Sequence, residues 1–176
     1  MFDDFDFNQI YQQKKETSNS LVIMMCGIAG SGKTTFSKIL EQNGFVRLSI
    51  DEEIWRTHGR WGIDFPMEDF EKYRLEAENK LFGLLIELIK GKKDVVIDFS
   101  FWDRERRERY KKIIEDFDGK WLLIYLKVEE SELRKRLLLR SKRFDANAFR
   151  VSDELLLSYL KGFEVPTGEG EIVINN

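Results

Sequence analysis

The sequence predicts an α/β protein in which a parallel, five-stranded sheet lies between two layers of helices. From residue 21 onward, short and continuously apolar segments alternate with longer amphipathic ones. This alternation is typical of a parallel sheet that is covered on both faces. A glycine-rich stretch joins the first strand to the first helix, and the 176 residues, 42% of them hydrophobic, suit one domain with a full core.

The elements follow in order along the chain. Strands are predicted at 21–26, 45–49, 94–98, 121–128 and 171–175. Helices are predicted at 33–43, 51–58, 67–90, 103–116, 131–142 and 152–163. Pro66 and Pro166 fall at element boundaries, where proline is tolerated. Residues 1–20 alternate phenylalanine with aspartate before a polar linker and are expected to form an N-terminal appendage to the main domain, 21–176.

Composition excludes several classes of protein. The net charge of −3 gives no general attraction to nucleic acid or to anionic membranes. No apolar stretch is long enough to cross a bilayer, and the acidic start differs from a secretory signal, so we expect a cytoplasmic protein. Cys26 is the only cysteine and is expected to be buried and apolar in character. His58 is the only histidine, which excludes a clustered His/Cys metal site, and it is expected to be exposed.

The stretch "CGIAGSGKTT", residues 26–35, has the spacing of a phosphate-binding loop. Glycine allows left-handed backbone and a close approach to an anion, and the helix that follows adds its positive N-terminal end. A lysine and a threonine end the pattern, one to reach the β- and γ-phosphates and one to hold Mg²⁺. The predicted nucleotide contacts are Gly27, Ala29, Gly30, Ser31, Gly32, Lys33, Thr34 and Thr35.

Two aspartates directly follow predicted strands, at the sheet edge where ligands bind in such folds. Asp51 follows the second strand and is interpreted as the base that orients an acceptor hydroxyl and takes its proton, although it or Ser49 could simply cap the next helix. Asp98 ends the third strand and is interpreted, with Thr34, as a Mg²⁺ ligand or a contact to the acceptor. The alternative is a carboxylate tied to a neighbouring loop. Asp103 is expected to cap the helix that it precedes.

Three arginines share one face of the helix predicted at 131–142 and of its end. Arg136, Arg140 and Arg143 follow at i, i+4 and i+7, which suits a lid that neutralises transferred phosphate. We assign Arg140 and Arg143 to catalysis and Arg136 to nucleotide binding; the alternative is a solvated face paired with acids. The arginines at 104–112 alternate with glutamates and are expected to form a solvated, self-paired face; the alternative is a binding patch. Aromatic residues near the acceptor side suit either a stacking surface or the core: Trp55, Trp61, Phe65, Phe99, Phe101 and Trp102.

By these residues the chain resembles the small P-loop kinases that phosphorylate hydroxyl groups, including phage polynucleotide kinase, chloramphenicol phosphotransferase, gluconate kinase-like enzymes and zeta toxin. The resemblance covers residues 21–175 and depends on "GIAGSGKTT", "LSID", "VVIDFSFWDRERRERY" and the stretch from "LRKRLLLRSKRF" to "EGEIVI". It implies a P-loop NTPase sandwich with strand order 2-3-1-4-5, Asp51 as the base, and Arg140 and Arg143 on a lid. Polynucleotide kinase has an arginine three residues after its base; here that position is Ile54.

The leading hypothesis is an ATP-dependent kinase of a small-molecule hydroxyl, with Mg²⁺ as cofactor and GTP as a second candidate donor. Nucleic acid is disfavoured as a partner by the acidic charge, no membrane partner is expected, and the chain is expected to be a monomer or a homodimer. Two alternatives stay open: a polynucleotide 5′-hydroxyl kinase, and a regulatory nucleotide-binding NTPase that has no small-molecule acceptor.

Overall fold

The computed structural model describes residues 19–140 and 151–176, together with the single positions Gln12 and Ala146. Almost all of the expected N-terminal appendage, and Arg143, which was predicted to lie on a lid, fall outside these ranges. The expected division between an appendage and the main domain therefore stays a prediction. No helix in the described part of the chain is long and apolar enough to cross a membrane.

A sheet of five parallel strands forms the centre of the molecule. Its spatial order is β2-β3-β1-β4-β5, which confirms the predicted order and class. β1 lies in the middle and pairs with β3 on one side and with β4 on the other; Val22 is opposite both Val95 and Trp121. The strands are β1 (Leu21–Cys26), β2 (Val46–Leu48), β3 (Val95–Ile97), β4 (Lys120–Lys127) and β5 (Glu171–Asn175).

Within residues 19–140 and 151–176, six helices connect and cover the strands. Asp103 caps the helix that it precedes, as expected, and its Oδ1 accepts from the Arg106 amide. Ser49, one of two candidate caps for the helix that starts at residue 50, accepts through Oγ from the Glu52 amide. A 3₁₀ turn, Met67–Asp69, leads into the longest helix. The described helices are α1 (Lys33–Gln42), α2 (Ile50–His58), α3 (Phe70–Lys90), α4 (Arg104–Asp116), α5 (Glu130–Arg140) and α6 (Asp153–Gly162).

The core lies on both faces of the sheet. Alternate residues of β1 enter two separate clusters, with Val22, Met24 and Cys26 in one and Leu21, Ile23 and Met25 in the other. All six are fully buried, which explains why the strand reads as an unbroken apolar run instead of an alternating one. Burial raises the pKa of the Cys26 thiol to about 11, so this residue is an inert part of the core.

Two expectations about single residues were wrong. His58 is half-buried, not exposed, because its ring stacks on Tyr73 with centroids 3.6 Å apart. Arg107, expected on a solvated face, is fully buried and pairs with Glu169 beyond α6 instead of with a glutamate of its own helix. In both cases the partner lies outside the residue's own helix. The parallel sheet brings the loops after β1, β2 and β3 to one edge, where the candidate site lies.

Candidate active site

The loop between β1 and α1 has the backbone expected of a phosphate cradle. Gly27, Gly30 and Gly32 have φ angles of 146°, 86° and 101°, a region that other residues rarely adopt. Among the described residues, no side chain caps α1, which begins directly after Gly32. The first amide groups of this ten-residue helix are therefore not engaged by a capping side chain, which suits an anion at its N-terminus.

Close packing explains why glycine stands at the start of this loop. A Cβ atom at Gly27 would lie 2.7 Å from Ser31 Oγ and 3.0 Å from the carbonyl oxygen of Leu126 in β4. A Cβ atom at Gly30 would lie 3.2 Å from Leu137 Cγ in α5. The loop is thus packed closely between β4 and α5, and its backbone can take this path only because Gly27 and Gly30 have no Cβ atom.

Ser31, at the centre of the loop, has contacts that the sequence did not reveal. Its carbonyl oxygen accepts a 2.7 Å hydrogen bond from Asn176 Nδ2, just beyond β5. Its own hydroxyl is buried and has no hydrogen-bond partner among the described residues. The loop is therefore hydrogen-bonded to the residue that follows β5, at the edge of the sheet. Its Ser31 hydroxyl stays available for a ligand in the described part of the chain. Ala29 is half-buried in the same loop, and Thr35 is exposed in the first turn of α1.

Lys33 lies over the loop that it follows. Its Nζ atom donates to the carbonyl oxygens of Gly27 and Ile28, at 2.8 and 3.1 Å. Burial lowers the pKa of this ammonium group, and the charge of Asp98 acts in the opposite direction. The side chain is thus held at the cradle by carbonyls that a phosphate group can replace as hydrogen-bond acceptor.

Thr34 and Asp98 meet where the β1 and β3 loops converge. Thr34 Oγ1 lies 3.4 Å from Asp98 Oδ1. A hydroxyl and a carboxylate are ligands that Mg²⁺ accepts, and Mg²⁺ in such sites takes its other ligands from phosphate and water. The described residues contain no cluster of three His, Cys, Asp or Glu side chains that could hold a metal ion alone. This donor set therefore fits a Mg²⁺ ion that arrives with a nucleotide, and does not fit a resident structural metal.

Asp51 lies half-buried in the first turn of α2. Its pKa is raised to about 6, first by burial and then by the negative charge of Asp98, while the charges of Arg140 and Lys33 act in the opposite direction. A carboxyl group with a pKa near neutrality can release and accept a proton under ordinary conditions. Perturbed carboxyl groups of this kind are concentrated at functional sites.

Side chains of α5 and α6 also lie near Lys33 and Asp51. Arg140, at the end of α5, acts electrostatically on Lys33 and Asp51. Burial raises the pKa of Tyr159 in α6; the charge of Asp51 acts in the same direction and the charge of Arg140 in the opposite one. The structure thus brings Lys33, Asp51, Asp98 and Arg140 together around one space and adds Tyr159, which the sequence did not reveal. The catalytic and binding roles of the first four stay predictions.

Arg136, one turn before Arg140, is held differently. Its Nε atom donates to Glu132 Oε1 at 2.9 Å on the same helix, and its Nη1 atom is buried without a hydrogen-bond partner in the described part of the chain. One edge of its guanidinium group is therefore in an ion pair with its own helix. Its role in nucleotide binding stays a prediction, and Arg143 lies outside the described residues.

The aromatic residues on the acceptor side divide into core and surface. Phe65, Phe99 and Phe101 are buried in the core, so the stacking interpretation does not apply to them. Trp102 is half-buried and packs edge-on against Tyr159, with ring centroids 5.4 Å apart. Only part of the predicted cluster is therefore available near the site.

Arg47 is a second residue of the candidate site that the sequence did not reveal. It lies in β2 and donates from Nε to Asp98 Oδ2 at 3.0 Å and from Nη2 to Glu52 Oε1 at 2.7 Å. The available signal was a charged residue in the middle of a short strand, since a charged side chain that the fold encloses needs a partner inside the protein.

Two known proteins are similar in sequence to most of this chain. A UPF0200 protein of Pyrobaculum aerophilum is 28% identical over 130 residues, which cover 73% of this chain and 71% of that protein. The L-seryl-tRNA(Sec) kinase of Methanococcus maripaludis is 24% identical over 148 residues, which cover 83% of this chain and 53% of that kinase. The matched region is thus about half of the kinase.

A solved structure supports the same fold. A candidate kinase of Chloroflexus aurantiacus superposes with a TM-score of 0.68 at 19% identity, covering 90% of this chain and 89% of that one. The AAA domain family (AAA_33) matches residues 22–166, which include the phosphate loop, both aspartates and Arg140. The chain therefore belongs to this AAA domain family, and it has the kinase-like P-loop fold that its phosphate-binding loop predicts.

Proposed function

We propose that residues 21–176 form an ATP-dependent kinase domain that transfers the γ-phosphate to a hydroxyl group of a small molecule. One observation carries the proposal. The Asp51 carboxyl group lies beside the phosphate loop with a pKa of about 6, among the charges of Lys33, Arg140 and Asp98. A base poised near neutrality next to cations is what transfer to a hydroxyl requires.

The phosphate loop supplies the nucleotide site. The glycine-rich backbone from 27 to 32 surrounds the phosphates, Lys33 reaches the β- and γ-phosphates, and the loop hydroxyls and amides add hydrogen bonds. Thr34 and Asp98 would hold Mg²⁺ together with phosphate oxygens, and the ion supplies charge neutralisation at the transferred group. This cradle contacts phosphate and not the base, so ATP is the proposed donor and GTP is compared with it in the test.

The transfer step uses Asp51 as the proton acceptor. The acceptor oxygen forms a bond to the γ-phosphorus while the bond from that phosphorus to the β,γ-bridging oxygen breaks and ADP leaves. The hydroxyl proton passes to the Asp51 carboxylate, which is ionised above its pKa of about 6. Lys33, Arg140 and, on the proposed lid, Arg143 stabilise the negative charge on the transferred group. Arg136 assists nucleotide binding.

One relative supports a second candidate acceptor, a hydroxyl group carried by an RNA. The L-seryl-tRNA(Sec) kinase matches 83% of this chain, but that match covers only 53% of the kinase. The net charge of −3 and the presence of Ile54 in place of an arginine favour a small acceptor.

The direct test is transfer of labelled γ-phosphate from ATP or GTP, with Mg²⁺, to a panel of hydroxyl compounds. The panel includes sugars, other alcohols, nucleosides, antibiotics, 5′-hydroxyl oligonucleotides and seryl-tRNA. We expect acceptor-dependent ADP release with one small-molecule class. Labelled RNA or oligonucleotide alone would establish the second candidate. ATP binding with no acceptor-dependent ADP release across the panel would instead indicate a regulatory NTPase.

The residue test compares two carboxylates of α2. Asp51→Asn should leave ATP affinity unchanged and lower transfer by about 10²- to 10⁴-fold, the usual contribution of a general base. Glu53→Gln is the matched control, because Glu53 pairs with Arg56 and Lys80 away from the loop, and it should keep transfer within a few-fold. Full turnover by Asp51→Asn would remove Asp51 from the mechanism.

A further inference from the structure

Arg47 is a buried cation in an unusual place. It is the middle residue of the three-residue strand β2, and its side chain is only 3% exposed. Its main partner, Asp98, is 2% exposed. Burial of a guanidinium group is costly unless its donors are satisfied, so a position in a short strand demands an explanation beyond packing.

The contacts of Arg47 divide the Asp98 carboxylate into two halves. Arg47 Nε donates to Oδ2 at 3.0 Å, while the other oxygen, Oδ1, lies 3.4 Å from Thr34 Oγ1. One oxygen is therefore committed to Arg47, and the other is left on the side of the phosphate loop. A carboxylate that is fixed in this way cannot rotate to offer both oxygens to the same partner.

The same guanidinium group also holds the helix that carries Asp51. Its Nη2 atom donates to Glu52 Oε1 at 2.7 Å, and Glu52 directly follows Asp51 in the first turn of α2. One side chain thus connects the β3 carboxylate, on the nucleotide side of the site, to α2, on the acceptor side. The fork of an arginine can make both contacts at once, whereas the single ammonium group of a lysine is a point charge.

We propose that Arg47 is a positioning residue that sets the Asp98 carboxylate toward Thr34 for Mg²⁺-dependent nucleotide binding and fixes α2 relative to it. This inference depends on the proposed function, since it assigns a role within the same site. It differs from a purely structural ion pair in one respect. A structural pair affects stability and all nucleotide binding alike, whereas a positioning pair affects only the part of nucleotide affinity that Mg²⁺ provides.

The experiment measures ATP affinity by calorimetry, once with Mg²⁺ and once with EDTA, for the full chain. Arg47→Met should reduce the Mg²⁺-dependent gain in affinity by about 10- to 100-fold, the usual cost of losing a group that orients a metal ligand, and should leave EDTA affinity unchanged. Arg47→Lys should lose most of the increase in ATP affinity that Mg²⁺ provides, because a lysine cannot make both contacts. Arg56→Met is the matched control, because Arg56 lies on α2 with its side chain 62% exposed, and it should behave as wild type.

A double variant tests whether Arg47 acts through Asp98. In an Asp98→Asn background, Arg47→Met should cause no further loss of the Mg²⁺-dependent gain. This pair also removes the buried acid that Arg47→Met alone would leave unpaired, so it carries the test if the single variant does not fold. Additive losses would overturn the inference, as would equal losses of affinity with Mg²⁺ and with EDTA.

The wild-type chain separates the two levels of the proposal. If it binds no nucleotide under either condition, the proposed function fails and the role of Arg47 fails with it. If it binds ATP more tightly with Mg²⁺ and Arg47→Met keeps that gain, only the inference about Arg47 is overturned.

Discussion

Arg107 and Glu169 form a two-pronged ion pair across 62 positions of sequence, with Nε donating to Oε2 and Nη2 donating to Oε1, both at 2.7 Å. The remaining terminal nitrogen, Nη1, donates to the carbonyl oxygens of Phe101 and Glu164. One guanidinium group therefore fastens the segment after β3 to the segment before β5. The first of these segments also borders the phosphate loop, because the Ser100 carbonyl accepts from the Gly27 amide at 3.2 Å.

Arg107→Met should lower the free energy of unfolding by about 3–5 kcal/mol, since it removes two hydrogen bonds to a buried carboxylate and two more to backbone carbonyl groups. Denaturant unfolding measures the change. Arg104→Met on the same helix is the control, because Arg104 is exposed, and it should cost under about 0.5 kcal/mol. Equal stability of the two variants would show that the Arg107 pair contributes nothing.

Phosphate transfer should depend on pH through Asp51. Its folded-state pKa is about 6 and its ionised form is the active one, so kcat/KM should rise about tenfold per pH unit below 6 and level off above it. Arg140 lowers this pKa, so Arg140→Gln should move the acidic limb to higher pH in addition to slowing transfer. Profiles of kcat/KM for wild type and Arg140→Gln between about pH 4.5 and about pH 8.5 check this prediction. An acidic limb that does not move in the variant would contradict it.

The same pKa has a consequence for stability. The folded-state pKa of Asp51 is about 6 against an ordinary value of 3.8, so the folded protein binds this proton more tightly than the unfolded chain does. Stability is thus lost as pH rises from about 4 to 6. Asp51→Asn has no such carboxyl group and does not lose this stability. Its melting temperature should therefore exceed that of wild type at pH 8, by a margin that shrinks toward pH 4. Thermal melts at the two extremes measure it, and a margin that grows toward acid would refute the assignment.

Gly27→Ala should abolish tight nucleotide binding. The added methyl group would meet Ser31 Oγ at 2.7 Å and a β4 carbonyl oxygen at 3.0 Å, and the backbone cannot yield as a flexible side chain can. Gly44→Ala is the matched control: φ is 94° there and nothing lies within 4 Å of the new atom. The control should lose about 1–3 kcal/mol of stability through its backbone and keep wild-type ATP affinity. Calorimetry with MgATP distinguishes the two.

The fold could be predicted because the strands are buried on both faces. β1 is apolar at every position, β5 is found at its predicted bounds, and the remaining strands differ by a residue or so at their ends. The long helix begins later than predicted, at Phe70, because a 3₁₀ turn occupies 67–69. Strand order does not follow from local pattern; it came from the resemblance, and the structure confirms it.

The site could be predicted only where chemistry follows from spacing. The loop glycines, Lys33, Asp51 and Asp98 occupy fixed places relative to strand ends, so a topological rule finds them. Arg47 and Arg107 obey no such rule. Each is defined by a partner that is distant in sequence, Asp98 in one case and Glu169 in the other, and local charge patterning gave the wrong environment for Arg107. Buried ion pairs of this kind become visible only when the chain is folded.

The central place of β1 also has a consequence for how the chain reaches its native state. This strand is synthesised before both of its neighbours, β3 and β4, and Leu21 finds its partner only at Lys120. During translation this apolar strand therefore lacks its β4 neighbour until about a hundred further residues have been made. Such a delay slows folding and favours self-association. Expression at low temperature or with a chaperone that shields nascent hydrophobic segments should raise the yield of dispersed protein.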